Sequence, residues 1–278
     1  MHKLPQQKLD VKLIALDLDD TLLNAQAQID DKTVRVLQRA AALGIYIVLC
    51  SGRAEDAILP FVRRLDVAGI EAGRFVIAVN GASVFDMHQR LRIHECMVSP
   101  EVLQEADRIA EEAGFKTEVY DATTIYMSEM NEWTELDVKL CHLKGQVVEN
   151  YHSFLSKGFQ KMLVPGEPEK LQVLQKTLKE KLGSKANIFI SKPYFLEILP
   201  ADCGKGEAVR WLADYLSVPV EKTMGFGDSM NDESMIRQCG YGVAMQNALD
   251  AIKDCADFVT QYTNNKSGVA QFVEQYVL

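Results

Sequence analysis

The sequence predicts an α/β protein whose parallel-sheet core is interrupted by an inserted α+β segment. Three observations point there. The apolar runs Leu13-Ile14-Ala15-Leu16 and Ile45-Tyr46-Ile47-Val48-Leu49-Cys50 are short and nearly continuous, as strands buried on both faces are. Helical patterns separate such runs at both ends of the chain, the order expected of βαβ units. Between about Val84 and Pro193 that alternation fails, and strand and helix candidates mix without it.

In chain order, Leu13–Leu16 is the first strand. Asp30 can cap a helix whose apolar positions Val34, Leu37 and Ala41 recur at helical spacing. Gly44 ends it, and 45–50 is the second strand. A helix from Glu55 to Leu65 leads to a third strand, 75–79, and the turn-like Asn80-Gly81. In the middle, short strands are expected at 91–93, 115–119, 125–127, 161–164 and 188–190, with helices at 100–113, 131–143 and 167–182. The C-terminal part returns to alternation: helix 205–216, strand 223–226, helix 232–238, strand 242–244, helix 248–256, strand 258–259 and a last helix from Val269. The expected division is therefore a discontinuous core, 1–83 and 194–278, around an insert at 84–193.

Composition narrows the function classes. The chain has 278 residues, 47% apolar and 25% charged, the balance of a soluble globular protein. A net charge of -9 argues against non-specific nucleic-acid binding, yet allows an anionic substrate if a metal and local cations reverse the field in a cleft. No apolar stretch approaches membrane-spanning length and the N-terminus shows no leader pattern, so a cytoplasmic protein without membrane partners is expected. Six scattered cysteines lack any Cys-x-x-Cys pair and read as reduced, mostly buried thiols. The five histidines show no metal-ligand spacing.

Four distant segments carry the chemistry: Asp17-Leu18-Asp19-Asp20-Thr21, Ser51-Gly52-Arg53, Gly204-Lys205-Gly206 and Gly227-Asp228-Ser229-Met230-Asn231-Asp232. In an open parallel sheet, ligands bind beyond the carboxyl ends of the strands, where Asp17, Ser51 and Asp228 fall. A carboxylate such as Asp17 can attack phosphorus and form an aspartyl-phosphate that water then hydrolyses. Asp19, two residues on, can protonate the leaving oxygen and later deprotonate the water. Asp17, Asp228 and the Asp19 backbone carbonyl make a plausible Mg²⁺ set. Asp232 suits a supporting role, orienting a water ligand or Lys205. Ser51 and Gly52 offer a hydroxyl and unhindered N–H groups to phosphate oxygens, and Lys205 would neutralise charge there. Arg53 could reach a substrate or pair with an acid, and nothing in the sequence separates the two.

These residues resemble the haloacid dehalogenase superfamily of phosphohydrolases. Asp17-x-Asp19-x-Thr21 is similar to its first motif, Ser51 to its second, Lys205 to its third and Gly227-Asp228-x-x-Asn231-Asp232 to its fourth. The resemblance covers essentially the whole chain and implies a Rossmann-like core with a C2-type cap. The text is closest to the Cof-type group at Asn80-Gly81-Ala82, Lys192-Pro193-Tyr194-Phe195-Leu196-Glu197-Ile198 and Gly268-Val269-Ala270, and within it to sugar-phosphate phosphatases. By this resemblance Asp17 is the nucleophile and Asp19 the acid/base. Ser51, Lys205 and Asn231 contact phosphate, while Asp17, Asp19 and Asp228 hold Mg²⁺.

Two departures stand out. Asp20 occupies a position where many members have Gly, so its side chain is expected to face solvent or a backbone donor. Ala201-Asp202-Cys203-Gly204 precedes Lys205 in place of the more usual Gly-x-Ser.

The expected activity is Mg²⁺-dependent hydrolysis of small phosphorylated metabolites, sugar phosphates first. A phosphomutase on the same site, or a phosphosugar-binding regulator with little turnover, stays open. The cap is expected to exclude water and read the leaving group. Its Tyr120, Tyr126, Trp133 and Tyr194 suit its own core or a domain seam better than specificity roles. Oligomeric state is not readable from the sequence.

Overall fold

A computed structural model of the chain describes residues 4–278 apart from 122 and 142. The first stretch holds β1 (Leu13–Leu16), α1 (Asp31–Ala42), β2 (Tyr46–Cys50), α2 (Glu55–Leu65), β3 (Phe75–Ala78), β4 (Ser83–Asp86) and β5 (Leu91–Glu95). There follow α3 (Pro100–Glu112), β6 (Glu118–Tyr120), β7 (Thr124–Met127), α4 (Glu132–Cys141), β8 (Lys144–Val147), α5 (Tyr151–Phe154), β9 (Met162–Pro165), α6 (Pro168–Leu182), β10 (Ala186–Lys192) and β11 (Phe195–Pro200). The chain closes with α7 (Lys205–Tyr215), β12 (Thr223–Gly227), α8 (Glu233–Gln238), β13 (Tyr241–Ala244), α9 (Asp250–Cys255), β14 (Phe258–Val259) and α10 (Gly268–Tyr276).

Local chemistry accounts for the start of the first helix. The Asp30 carboxylate accepts the Thr33 N–H at 2.9 Å and the Thr33 hydroxyl at 2.7 Å, satisfying the start of α1. Asp86, fully buried, takes a forked bond from the Arg74 guanidinium, which holds its carboxyl below the usual range.

The chain forms two compact units, one of residues 1–94 and 204–278, the other of 95–203. In the first, eight strands run in the order β14-β13-β12-β1-β2-β3-β4-β5. Pairing is parallel from β14 through β3, and β4 turns back antiparallel on β3. From β1 the chain adds strands in one direction through β2 and β3, and later in the other through β12, β13 and β14. The switch point of the sheet therefore lies between β1 and β12.

In the second unit six strands run β10-β11-β9-β6-β7-β8, all antiparallel except the β7–β8 pair. Val119, Met162, Val164, Leu196 and Ile198 point from one face of this sheet into an apolar core with Leu103 and Ala106 of α3 and Leu171, Leu174 and Leu178 of α6.

The unit boundaries differ from the expected 84 and 193. At the first, Ser83–Asp86 pairs back onto β3, so it extends the core sheet instead of opening the insert. At the second, Phe195–Pro200 is apolar enough for a core strand, but it pairs with β9 and β10. Composition at 195–200 suits either sheet, and only the pairing decides. Several helices also begin or end a residue or more inside their expected bounds, including Glu132–Cys141 and Asp250–Cys255.

The opposite face of the second sheet is polar where it meets α4. Glu118, Tyr120, Lys161 and Glu197 point that way, one residue out of phase with the apolar set. The Tyr120 hydroxyl donates to Asp137 of α4, and Lys161 lies 3.6 Å from Glu197. Glu118 is fully buried, and its Oε1 has no hydrogen-bond partner among the described residues. Burial first, then the charge of Asp137, pushes its carboxyl from 4.5 up to about 10.

The native state thus keeps a proton that the unfolded chain has lost, and stability falls as pH rises from 4.5 through about 10. Glu118→Gln is expected to melt near wild type in mild acid and above it in mild alkali. A variant that melts below wild type in alkali would show that the ionised carboxylate is needed.

Candidate active site

All four motif segments lie in the first unit, and three of them follow the carboxyl ends of β1, β2 and β12. After β1 the chain makes one wide turn, closed by Leu22 N–H to Asp17 C=O at 3.2 Å and Leu23 N–H to Leu18 C=O at 2.8 Å. Asp20 sits in that turn at φ 60, left-handed backbone that Gly adopts at no steric cost and Asp tolerates. Its side chain is exposed, as expected, and its carbonyl accepts from the Asn247 amide at 2.7 Å.

Lys205, the first residue of α7, is completely buried. Its ammonium donates to Asp17 Oδ1 at 2.5 Å and to Asp232 Oδ1 at 2.6 Å. The other oxygen of Asp232 accepts the backbone N–H of Asp228 at 2.9 Å and of Ser229 at 3.0 Å. Asp232 therefore spends both oxygens on holding the lysine and shaping the loop that carries Asp228. Asp228 Oδ1 in turn accepts the Thr21 hydroxyl at 2.7 Å, which ties the first motif to the fourth.

A second set of contacts runs beside the first. Arg53 forks onto Asp19, Nε to Oδ2 at 3.0 Å and a terminal nitrogen to Oδ1 at 2.7 Å. The Ser51 hydroxyl accepts the Arg53 N–H at 3.2 Å. Asn231 donates its side-chain amide to Asn80 Oδ1 at 3.0 Å. The two sets meet in the 228–232 loop, so the structure brings every motif segment into one hydrogen-bonded neighbourhood.

Charge is in surplus here. Asp17, Asp228 and Asp232 each place an oxygen within 4.8 Å of the others, against the single ammonium of Lys205. Burial pushes the Asp17 carboxyl well up, Asp232 adds to this, and Lys205 opposes it. Burial and Asp232 likewise push Asp228 up to about 7. Lys205 is driven down by burial but held above its ordinary value by the two aspartates.

A divalent cation fits this donor set. Asp17 and Asp228 each keep an oxygen outside the bonds described, whereas Asp232 has none to spare. Because Asp228 holds its proton from 3.8 up to about 7, metal-free protein should lose stability as pH rises through that window. Added Mg²⁺ is expected to raise the melting temperature of EDTA-treated protein more at about pH 8 than at about pH 5. An equal or absent rise at both would remove the cation from this cluster.

Sequence reasoning passed over two contributors. Thr21 was only part of a motif, yet it anchors Asp228. Asn80 stands out in the sequence only as a turn residue and part of a family resemblance, yet it holds Asn231. A polar residue directly after a buried strand, followed by glycine, was the available signal for Asn80. For Arg53 the contact is with the acid.

A mostly parallel sheet with this carboxylate–lysine centre at its switch point, in a chain whose relatives are named phosphatases, marks a phosphoric monoester hydrolase. The family model of the haloacid dehalogenase-like hydrolases matches residues 14–273, and the chain belongs to that family. The Bacillus subtilis phosphatase YwpJ is 31% identical, across 95% of this chain and 99% of its own. The 5-amino-6-(5-phospho-D-ribitylamino)uracil phosphatase YcsE, also of B. subtilis, is 29% identical across 98% of each. Among solved structures, a haloacid dehalogenase-like hydrolase from Bacteroides thetaiotaomicron matches with a TM-score of 0.82 and 30% identity, over 95% of this chain and 99% of that one. The protein is accordingly a phosphatase of small phosphorylated molecules. Among the described residues no helix is long and apolar enough to cross a membrane.

Proposed function

We propose that this phosphatase is Mg²⁺-dependent, cytoplasmic and directed at sugar phosphates, and that it works through an aspartyl-phosphate on Asp17. The buried unit of Asp17, Lys205 and Asp232, with Asp228 in the same cluster, carries the reading. A bound Mg²⁺, held by Asp17, Asp228 and the Asp19 carbonyl, would offset the negative charge of the phosphoryl group.

An Asp17 oxygen attacks phosphorus as the bond to the leaving oxygen breaks, and Asp19, which enters this step carrying a proton, passes it to that oxygen. Asp19 then takes a proton from water, whose oxygen attacks the phosphoenzyme and frees Asp17 and inorganic phosphate. Lys205, Ser51, Gly52 and Asn231 hold the non-bridging oxygens. Asp232 keeps Lys205 and the Asp228 loop in place.

Arg53 has a part in this cycle. Its fork occupies both Asp19 oxygens, so substrate must displace or share that contact before Asp19 can donate a proton. Sugar phosphates are favoured by the resemblance to the Cof-type group. They are favoured also by the relative whose name specifies a phosphate on a ribityl chain.

The test is phosphate release from a panel of phosphorylated metabolites with and without Mg²⁺, beside Asp19→Asn. Wild type is expected to need Mg²⁺ and to prefer sugar phosphates. Asp19→Asn should lower turnover by about 100-fold or more and let an acid-labile phosphoenzyme accumulate. Full activity in EDTA, or unchanged hydrolysis by the variant, would overturn the respective assignment.

A further inference from the structure

The turn that follows β3 belongs to none of the four motif segments, yet it touches three of them. Val79, Asn80 and Gly81 have φ of 51, 52 and 98, so three successive residues lie in left-handed backbone. For a β-branched residue such as Val79 this is costly, and such strain persists only where surrounding bonds impose it.

Those bonds are visible. Val79 N–H donates to Arg53 C=O at 3.0 Å, and Asn80 N–H to Ser51 C=O at 2.9 Å, so the turn is fastened to the loop after β2. The Asn80 side chain, only 1% exposed, lies directly on Gly52: a Cβ there would stand 3.0 Å from its Nδ2 and 3.1 Å from its Oδ1. A Cβ on Gly81 would stand 2.1 Å from the Gly204 carbonyl oxygen and 3.1 Å from the Lys205 nitrogen. The turn thus packs without a gap against the start of α7. On its third side, Asn80 Oδ1 accepts the Asn231 amide at 3.0 Å.

We propose that Asn80 is a positioning residue that fixes the orientation of the Asn231 amide and its spacing from the Ser51–Gly52 loop. The inference rests on the reading of Ser51, Gly52 and Asn231 as phosphate contacts. A side-chain amide has two N–H donors and one carbonyl acceptor. With one N–H of Asn231 committed to Asn80, its nitrogen faces the site and the second N–H serves a phosphate oxygen. Without that acceptor the amide can rotate and present its carbonyl oxygen, which repels the anion. Asn80 also sets how far apart the two loops stand, because it fills the space between them at van der Waals contact.

The experiment measures the inhibition constant of inorganic phosphate, KM, kcat and melting temperature for wild type, Asn80→Ala and Asn80→Asp. In Asn80→Ala the inhibition constant and KM are expected to rise together by about ten-fold or more, with kcat falling less. Asn80→Asp keeps an acceptor for Asn231 and should recover most of any lost melting temperature. It sets a negative charge beside the anion, so it should bind phosphate no better than the alanine variant.

Unchanged phosphate inhibition in both variants would overturn the proposal, as would a drop in melting temperature with no change in that constant. If Asn80→Ala does not fold, Asn80→Asp still decides: phosphate inhibition equal to wild type would sink the assignment. A wild type that releases phosphate but is not inhibited by it would instead overturn the phosphate-loop reading, and the role of Asn80 with it.

Discussion

Asp17→Asn is expected to lower phosphate release by on the order of 10⁴-fold or more without harming the fold. The substitution keeps the shape of the side chain and an oxygen that can accept from Lys205, now 2.5 Å away. What it removes is the proposed nucleophile, since an amide oxygen does not form the covalent phosphoenzyme. Stability should hold or rise. Burial and the neighbouring charges of Asp232 and Asp228 already push Asp17 toward its neutral form, so a neutral isostere relieves repulsion. Melting temperature and rate, measured on the same preparation, separate the two effects. Residual activity above about 1% of wild type would put the nucleophile elsewhere.

Lys205→Met should cost the most stability of any change in the site. The ammonium is completely buried and bonded to two carboxylates that are themselves buried. Methionine fills much of the volume but leaves both acids uncompensated, a loss of about 3–5 kcal/mol for breaking a buried pair. Turnover should fall as well, because the site loses the cation proposed to hold the phosphoryl oxygens. The double variant with Asp17→Asn should regain part of the lost stability, since one of the stranded charges is then gone. Urea unfolding in EDTA measures this. A lysine variant as stable as wild type would mean that the pair contributes little, and that the two aspartates take up protons without penalty.

The core strands were legible for one reason. A strand buried on both faces is apolar nearly throughout, and 13–16, 46–50 and 75–78 fit that description. Edge and hairpin strands carry no such mark. Lys144–Val147 is largely exposed, and Ser83–Asp86 is short and polar at both ends, so neither stood out. Phe195–Pro200 was visible as an apolar run, but its sheet was not, because partner choice between two sheets is a long-range matter.

The same contrast divides the site. Residue types and their spacing after buried strands by themselves single out the carboxylates, the hydroxyl and the lysine of the candidate site, and the class of chemistry they suit. Strand termini at a sheet's switch point converge wherever the strands lie in the sequence, so that much follows from the local pattern. Tertiary structure alone decided how those groups are partnered: Asp232 on Lys205, Thr21 on Asp228, Arg53 on Asp19, Asn80 on Asn231. Partners so far apart in the chain, 207 residues for Thr21 and Asp228, leave no periodicity in the sequence. Their pairing is set by the packing of whole elements, and it appears only once the sheet has brought its loops together.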